Sequence, residues 1–508
     1  MEVHSVAGTN RTSRKVVLLL AACVATLVAV LSLPSGAEAY PSPGQPFVFN
    51  EPFVRQVGPE VMVFDWSVSK CEDNDITDEA ARAFKDDTGK VQLMNTHFVN
   101  YRWIANTTLD SPYTHPCTKT MSSHNNADPS KYDAKEWLAS PWTPDGKTIY
   151  ALMHMEFRAG DYMSGCPSSG ACWFNAITSA VSTNSGATFT HATAPAHVVA
   201  STPYQFAMNG PNGYFTPSNI VRSGDGWFYT MFRAQPRNAQ QLGTCIMRTR
   251  DISDPTSWRG WNGTGFTVQF RNPYIGTITP ANHVCAPVDF NSIGTISESL
   301  TYNTYFRKWM LVGNSVGDPP NGKPPGVYYS FSDDLLNWSN VELLMEAEIT
   351  WAMNCTLPDP IKESSLLDPA STSRNFETVG QNPQQFYTWY HLNGCSGTLD
   401  RDLVRIPIEF SNQQPGGPSA QMTAADRTPA VGEPVAFDAS DSSDANGSVK
   451  KYEWDLDGNG TFEHDTGKDP TADRVFSNTK QVTVTVRVTD DDGKFTDDTA
   501  VLQPQRDP

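Results

Sequence analysis

SPWTPDGKTIYALMHME, residues 140 to 156, reads as a short apolar strand, a polar turn at Asp145-Gly146, and a second apolar strand ending at His154-Met155-Glu156. The same phrase recurs as EAARAFKDDTGKVQLMNTH at 79 to 97, SNIVRSGDGWFYTMFRA at 218 to 234 and SLTYNTYFRKWMLVGN at 299 to 314, with a fifth version in SRNFETVGQNPQQFYTWYH at 373 to 391. Repeats spaced by roughly 60 to 80 residues, each a hairpin that cannot bury its apolar faces alone, predict the blades of a β-propeller. Between residues 40 and 410 no long amphipathic helix interrupts the short β-rich runs, and that length accommodates about five blades.

The chain opens differently. Arg11, Arg14 and Lys15 precede an apolar run from Val16 to Leu33, and Ala37-Glu38-Ala39 offers small residues for cleavage before Tyr40. Residues 1 to 39 therefore read as a signal peptide and the mature protein as secreted. The run is near the lower limit for a membrane span, so an uncleaved anchor is the alternative. Beyond Cys23 an even set of cysteines remains, which in an exported chain predicts disulfides, with Cys166 to Cys172 across CPSSGAC as the most local pair. Zinc held by cysteine has no CxxC spacing to support it.

A formal charge of −18 disfavours nucleic acid and anionic membrane as partners. A neutral polysaccharide fits better, and 13 Trp and 17 Tyr supply rings on which sugars stack, although such rings also fill blade cores. A monomer is expected.

After VRIPIEF, the segment SNQQPGGPS at 411 to 419 has linker composition. From Ala420 to Pro508 the chain loses cysteine and alternates as VAFDAS, VKKYEWDLDG and KQVTVTVRVTDDDG, the pattern of a small antiparallel sandwich. Tyr452-Glu-Trp454-Asp-Leu-Asp-Gly-Asn-Gly and the closing strand resemble a PKD domain, an immunoglobulin-like module attached to many secreted enzymes, which implies a spacer or weak binder. Asp455-x-Asp457-x-Asn459-Gly460 also spells the opening of a calcium loop, but Thr466 stands where the closing acidic ligand belongs, and a hairpin turn accounts for the same residues.

In a propeller, starts of first strands and ends of second strands converge on one funnel. This selects Asp78 and Glu79, Glu136, Asn219 and Glu298 among the starts, and His97, His154 with Glu156, Arg233 and Asn314 among the ends. His97, His154 and Arg233 fall at equivalent places after their turns. Two carboxyls across a sugar-sized cleft are what glycosidic cleavage requires, one protonated and one ionised.

The blade count and the acid opening blade one resemble the five-bladed glycoside hydrolases of families 43 and 32. SLLDP at 365 to 369, Asn375-Phe-Glu377 and FYTWYH resemble their last blade. The resemblance implies Asp78 as general base and Glu298 as general acid, with Glu156 a rival acid and Glu136 a rival group for tuning the acid's pKa. His97, His154, Asn219 and Arg233 are then expected to bind substrate. The family's Asp-Pro is Asp78-Glu79 here, and blade three lacks the acidic residue of the pattern. The expected activity is hydrolysis of an extracellular, arabinofuranosyl-containing glycan, with no cofactor required and calcium at the funnel axis as an option. The alternatives are a propeller that binds glycans without cleaving them, and a sialidase- or lyase-like enzyme in which Arg233 clamps an acidic sugar. No Walker A or HExxH motif offers another chemistry.

Overall fold

The computed structural model describes residues 53–316, 324–350, 360–411, 417–445, 447–459, 461–491 and 493–506. Residues 1 to 39, the expected signal peptide, and most of the expected linker lie outside these residues.

Five antiparallel blades follow one another along the chain. Blade one is built from Arg82–Lys85, Val91–Met94, Trp103–Ala105 and Tyr113–Thr114. Blade two uses Lys135–Trp142, Ile149–Arg158, Trp173–Ser182 and Val198–Ala200, and blade three uses Asn212–Pro217, Phe228–Gln235, Gly243–Thr249 and Arg259–Trp261. Blade four comprises Ser299–Asn303, Lys308–Ser315, Gly326–Ser332 and Glu342–Glu346. In blade five, Ile361–Leu367, Gln384–Asn393 and Ser396–Ser411 are completed by Phe53–Gln56 and Val61–Phe64 from the start of the described chain, so Phe53 lies opposite Ser411.

The turn chemistry explains the hairpins. Gly89, Gly146 and Gly226 each hold positive φ, the conformation glycine adopts without a Cβ clash. The strands bury both faces because blades stack on each other. Phe84, Met94, Leu138 and Met153 pack blade one on two; Trp142, Ile177, Tyr214 and Phe232 pack two on three. Met310, Val312, Tyr387 and Val404 pack four on five, and Ala83, Leu93, Phe386 and Leu403 pack five on one.

Buried asparagines add polar clamps between the inner strands. Asn100 accepts from the Leu138 N–H at 2.7 Å and donates to the Glu136 carbonyl at 3.1 Å. Asn219 treats Leu300 of blade four in the same way, accepting its N–H at 2.8 Å and donating to its carbonyl. Asn314 accepts from the Ser364 N–H of blade five at 3.1 Å.

The fifth hairpin is not where the repeat places it. Thr378–Val379 pairs in parallel with Tyr302 and Asn303 of blade four, while the inner strand of blade five is Ile361–Leu367. The outer turns STNSGATF and FSDDLLNWS are alike: Ser182 and Ser332 hydroxyls accept backbone N–H groups of their own turns, and Asn184 and Asp334 accept further ones.

The expected local disulfide Cys166–Cys172 is present, joined by Cys71–Cys117 and Cys245–Cys285, and Cys395 is disulfide-bonded as well. In the C-terminal sandwich, Val449–Asp455, Val482–Asp490 and Phe495–Leu502 enclose Trp454, Val484, Val486 and Leu502. Its acidic turn is a set of Asx turns: Asp455 accepts from Gly458 at 2.7 Å, Asp457 from Asn459 at 3.1 Å, and Asn459 from Thr461 at 2.8 Å. Gly460 lies outside the described residues.

Candidate active site

Asp78 sits four residues before the inner strand of blade one. Its Oδ1 accepts the Tyr390 hydroxyl at 2.9 Å and the Arg401 guanidinium, with Lys362 Nζ at 3.6 Å. Its Oδ2 accepts Trp137 Nε1 at 3.2 Å, and His97 Nε2 lies 3.9 Å away. Burial works against ionisation, but Arg401, Lys362 and the remaining partners overcome it and hold this carboxyl well below the usual range. His97 is pushed down to about 4, chiefly by burial, so near neutrality its ring is uncharged.

A second group gathers around Arg82, which is 3% exposed. Burial lowers its pKa to about 10, and Glu79, Glu363 and Glu298 act to keep it charged. One Arg82 nitrogen donates to the Glu298 carbonyl. Glu298 stands immediately before the inner strand of blade four, its Oε2 accepting the Ser297 N–H at 3.0 Å and Oε1 that of Asn314 at 3.2 Å. Burial and the neighbouring Glu363 carboxylate raise it to about 7. Gly313 makes room for it, because a Cβ there would come within 1.8 Å of Glu298 Oε2. Arg233 carries a guanidinium depressed by burial and supported by the Glu298 charge.

Blade two contributes one face of its second strand. His154 Nδ1 meets Glu79 Oε1 at 2.9 Å and Thr216 Oγ1 at 3.0 Å, and its Nε2 is 3.8 Å from Glu156 Oε1. Burial pulls this imidazole down, but the Glu79 hydrogen bond and charge outweigh it and leave it above the ordinary histidine range. Glu156 Oε2 accepts Arg158 Nε at 2.8 Å.

Blade five supplies what the repeat reading passed over. Lys362 Nζ lies 2.5 Å from Glu363 Oε1 and, against burial, is held well above its usual range by Glu363, Tyr390 and Asp78. Glu363 is 5% exposed with φ of 59°, a left-handed conformation that a residue with a Cβ adopts at a cost, here within a break in strand register. Burial drives its carboxyl up, Lys362 opposes, and Glu79 adds to the rise. Lys362 and Glu363 lie on an inner strand without a DG turn, and IKESSLL has no apolar alternation to mark it. Tyr390 lies on the second strand of blade five, within FYTWYH, and Arg401 lies on the third, which no motif marks. Both line an open cavity of about 450 Å³ beside Asp78, together with Leu392, Thr398 and Leu399.

The funnel thus brings together Asp78, His97, His154, Glu156, Arg233 and Glu298. Two expected residues belong elsewhere. Asn219 follows an inner strand that ends at Pro217, so it lies past the funnel mouth and clamps Leu300. Glu136 neighbours Trp137, and successive strand residues face opposite sides. Trp137 faces Asp78, while Glu136, fully buried, accepts the Thr178 hydroxyl at 2.5 Å within blade two. It therefore does not join the funnel carboxyls.

The arrangement offers one carboxylate locked in the ionised form and, on neighbouring blades, carboxyls pushed toward neutrality. Such a split is how a site carries a base and an acid at one pH.

The family model for the PKD domain matches residues 416–503. No curated protein matches the chain. Among solved structures, carbohydrate-binding modules of the β-sandwich superfamily are similar at 28% identity, over 18% of this chain and 34% of that one, with a TM-score of 0.16. This chain thus spans about a third of that protein's length. Sucrose-6-phosphate hydrolase from Lactobacillus gasseri is similar at 9% identity over 88% of each chain, TM-score 0.41. The α-L-arabinanase of Cellvibrio cellulosa, in complex with arabinohexaose, is similar at 9% identity over 63% of this chain and 91% of that one, TM-score 0.35.

Proposed function

We propose that this chain is a secreted glycoside hydrolase that cleaves a neutral extracellular polysaccharide, with Asp78 as the base and Glu298 as the acid. The observation that carries the reading is the opposite displacement of these two carboxyls. Asp78 is held ionised by Arg401 and Lys362, and Glu298 is raised to about 7 by burial and Glu363. A protonated Glu298 delivers its proton to the leaving glycosidic oxygen, and ionised Asp78 activates water or engages the sugar carbon. His97, His154 and Arg233 present donors to sugar hydroxyls around them, and Trp137 offers an apolar ring next to Asp78. Glu156 is a weaker acid candidate because its Oε2 is already occupied by Arg158 Nε. Arabinofuranosyl-containing glycans are the first substrates to try.

The test is release of reducing ends from a panel of neutral and acidic polysaccharides by the wild-type chain, Asp78→Asn, Glu298→Gln and Glu156→Gln. Cleavage of a neutral glycan, abolished by the first two changes and retained in the third, is expected. Binding without cleavage across the panel refutes the reading in favour of a glycan-binding propeller. Cleavage restricted to acidic glycans and lost in Arg233→Lys refutes it in favour of a carboxylate clamp, because lysine lacks the planar fork.

A further inference from the structure

Glu136, displaced from the funnel, belongs to a second polar cluster inside blade two. Asp133 lies on the approach to the inner strand, Glu136 is its second residue, and His191 and His197 lie on the connection between the third and fourth strands. One ligand-type atom from each of these four residues falls within 4.8 Å of the other three. His191 Nε2 is 3.4 Å from both Asp133 Oδ1 and Glu136 Oε2, and His197 Nε2 is 3.7 Å from Glu136 Oε1. Four ligands around zinc at bonds of about 2.0–2.1 Å stand about 3.3 Å apart, close to these spacings.

A second observation points to a ligand. Glu136 is fully buried, yet its Oε2 has no hydrogen-bond partner. A carboxylate oxygen at such depth without a donor is costly. Among the described residues, no Lys or Arg forms an ion pair with Asp133 or Glu136; the basic side chains beside them are histidines. Two acids and two imidazoles with no fixed cation are a donor set for a divalent ion. The nitrogens select zinc-like metals over calcium or magnesium, which prefer all-oxygen shells.

We infer that Asp133, Glu136, His191 and His197 form a closed, four-ligand site for a zinc-class divalent cation that pins the strand connection of blade two to its inner strand. His197 Nε2, 3.0 Å from the Tyr132 carbonyl, exchanges that contact for the ion. His124, whose Nδ1 lies 2.6 Å from Asp133 Oδ1 and 3.2 Å from His191 Nε2, flanks the exposed side as an outer partner. With four protein ligands there is no open position for substrate, so the ion's role is structural. The argument against zinc from cysteine spacing does not touch this site, which contains no cysteine.

The test loads the full chain, stripped with a chelator, with zinc or with cobalt. Metal content after gel filtration, the visible spectrum of the cobalt form and the melting temperature are read for wild type, His191→Gln and Glu136→Gln. One zinc equivalent per chain, intense tetrahedral cobalt absorption and a melting temperature several degrees above the stripped form are expected, with all three lost in both variants. Circular dichroism separates loss of metal from loss of fold, and Asp133→Asn replaces any variant that fails to fold. No stoichiometric zinc in the folded wild type overturns the inference. Zinc retained at one equivalent in both variants, or calcium bound in preference to zinc, overturns it equally.

Discussion

The funnel and the blade-two cluster are built from the same residue types and solve the same electrostatic problem in opposite ways. In the funnel, Asp78, Glu79, Glu298 and Glu363 are answered by the covalently attached cations Arg82, Lys362 and Arg401. In blade two, among the described residues, the basic groups beside Asp133 and Glu136 are imidazoles. Fixed cations divide the funnel carboxyls into ionised and neutral members without occupying the space between them, which leaves room for substrate. Imidazoles whose nitrogens converge on carboxylates instead suit an ion held between them. Which cation neutralises a buried acid thus decides whether an acidic cluster is set up for reaction or for binding.

The contrast breaks most sharply under substitution of Asp78. Asp78→Asn should lower kcat by about a thousandfold, the range for removal of a general base. Glu136→Gln, outside the funnel, should leave kcat near wild type. If Glu136→Gln is the more damaging at equal fold, the division fails. Next in size, Arg82→Met leaves Glu79, Glu298 and Glu363 facing one another without their shared cation. A loss of about 3–5 kcal/mol in denaturant-monitored stability is expected, as when one partner of a buried ion pair is removed. That deficit should shrink in acid, where the raised carboxyls of Glu298 and Glu363 take up protons.

Gly313→Ala probes the placement of Glu298 alone. A Cβ within 1.8 Å of its Oε2 must displace the carboxyl, and a misplacement of that size should reduce kcat by about a hundredfold with little change in KM.

A smaller effect comes from pH. Glu298 and Glu377 are both raised to about 7, so between the unfolded carboxylate value and that point the folded chain binds more protons than the unfolded one. Their stabilising effect is complete in acid and is lost as pH rises through about 7. Melting temperature should fall across that window, less steeply in Glu298→Gln. Asn219→Ala should have the smallest consequence. Removing the Leu300 clamp costs about 1–2 kcal/mol, and the activity of the folded fraction should be unchanged, unlike that of a substrate ligand.

Much of this was legible in the repeats. Turns ending in glycine, Thr88-Gly89 and Asp145-Gly146, marked the inner hairpins of blades one and two, because glycine's positive φ is a local requirement that sequence records. Ends of second strands supplied His97, His154 and Arg233, which lie eight, eight and seven residues after Gly89, Gly146 and Gly226, and their neighbours include Asp78, Glu79 and Glu298. Starts were harder. Asn219 and Glu136 were misplaced by where a strand ends and by which face a side chain takes, and a one-residue change reverses the latter. Lys362 and Glu363 were hidden by a break in register, Arg401 reaches Asp78 from a strand with no motif, and Tyr390 stands in FYTWYH, whose letters do not say that its hydroxyl meets Asp78. The blade-two cluster joins residues separated by about 60 positions and exists only once the strand connection folds back.

The measurement that bears most directly on the funnel is the pH dependence of kcat/KM on a cleaved neutral glycan, for wild type and Glu298→Gln. A profile flat on its acidic side across the folded range, falling above about 7, with the alkaline fall absent from the residual activity of Glu298→Gln, is the predicted result. An unchanged alkaline limb in Glu298→Gln would contradict the assignment of the acid. So would a wild-type rate that declines as pH drops from 7 toward 5, where Glu298 gains the proton it is meant to donate.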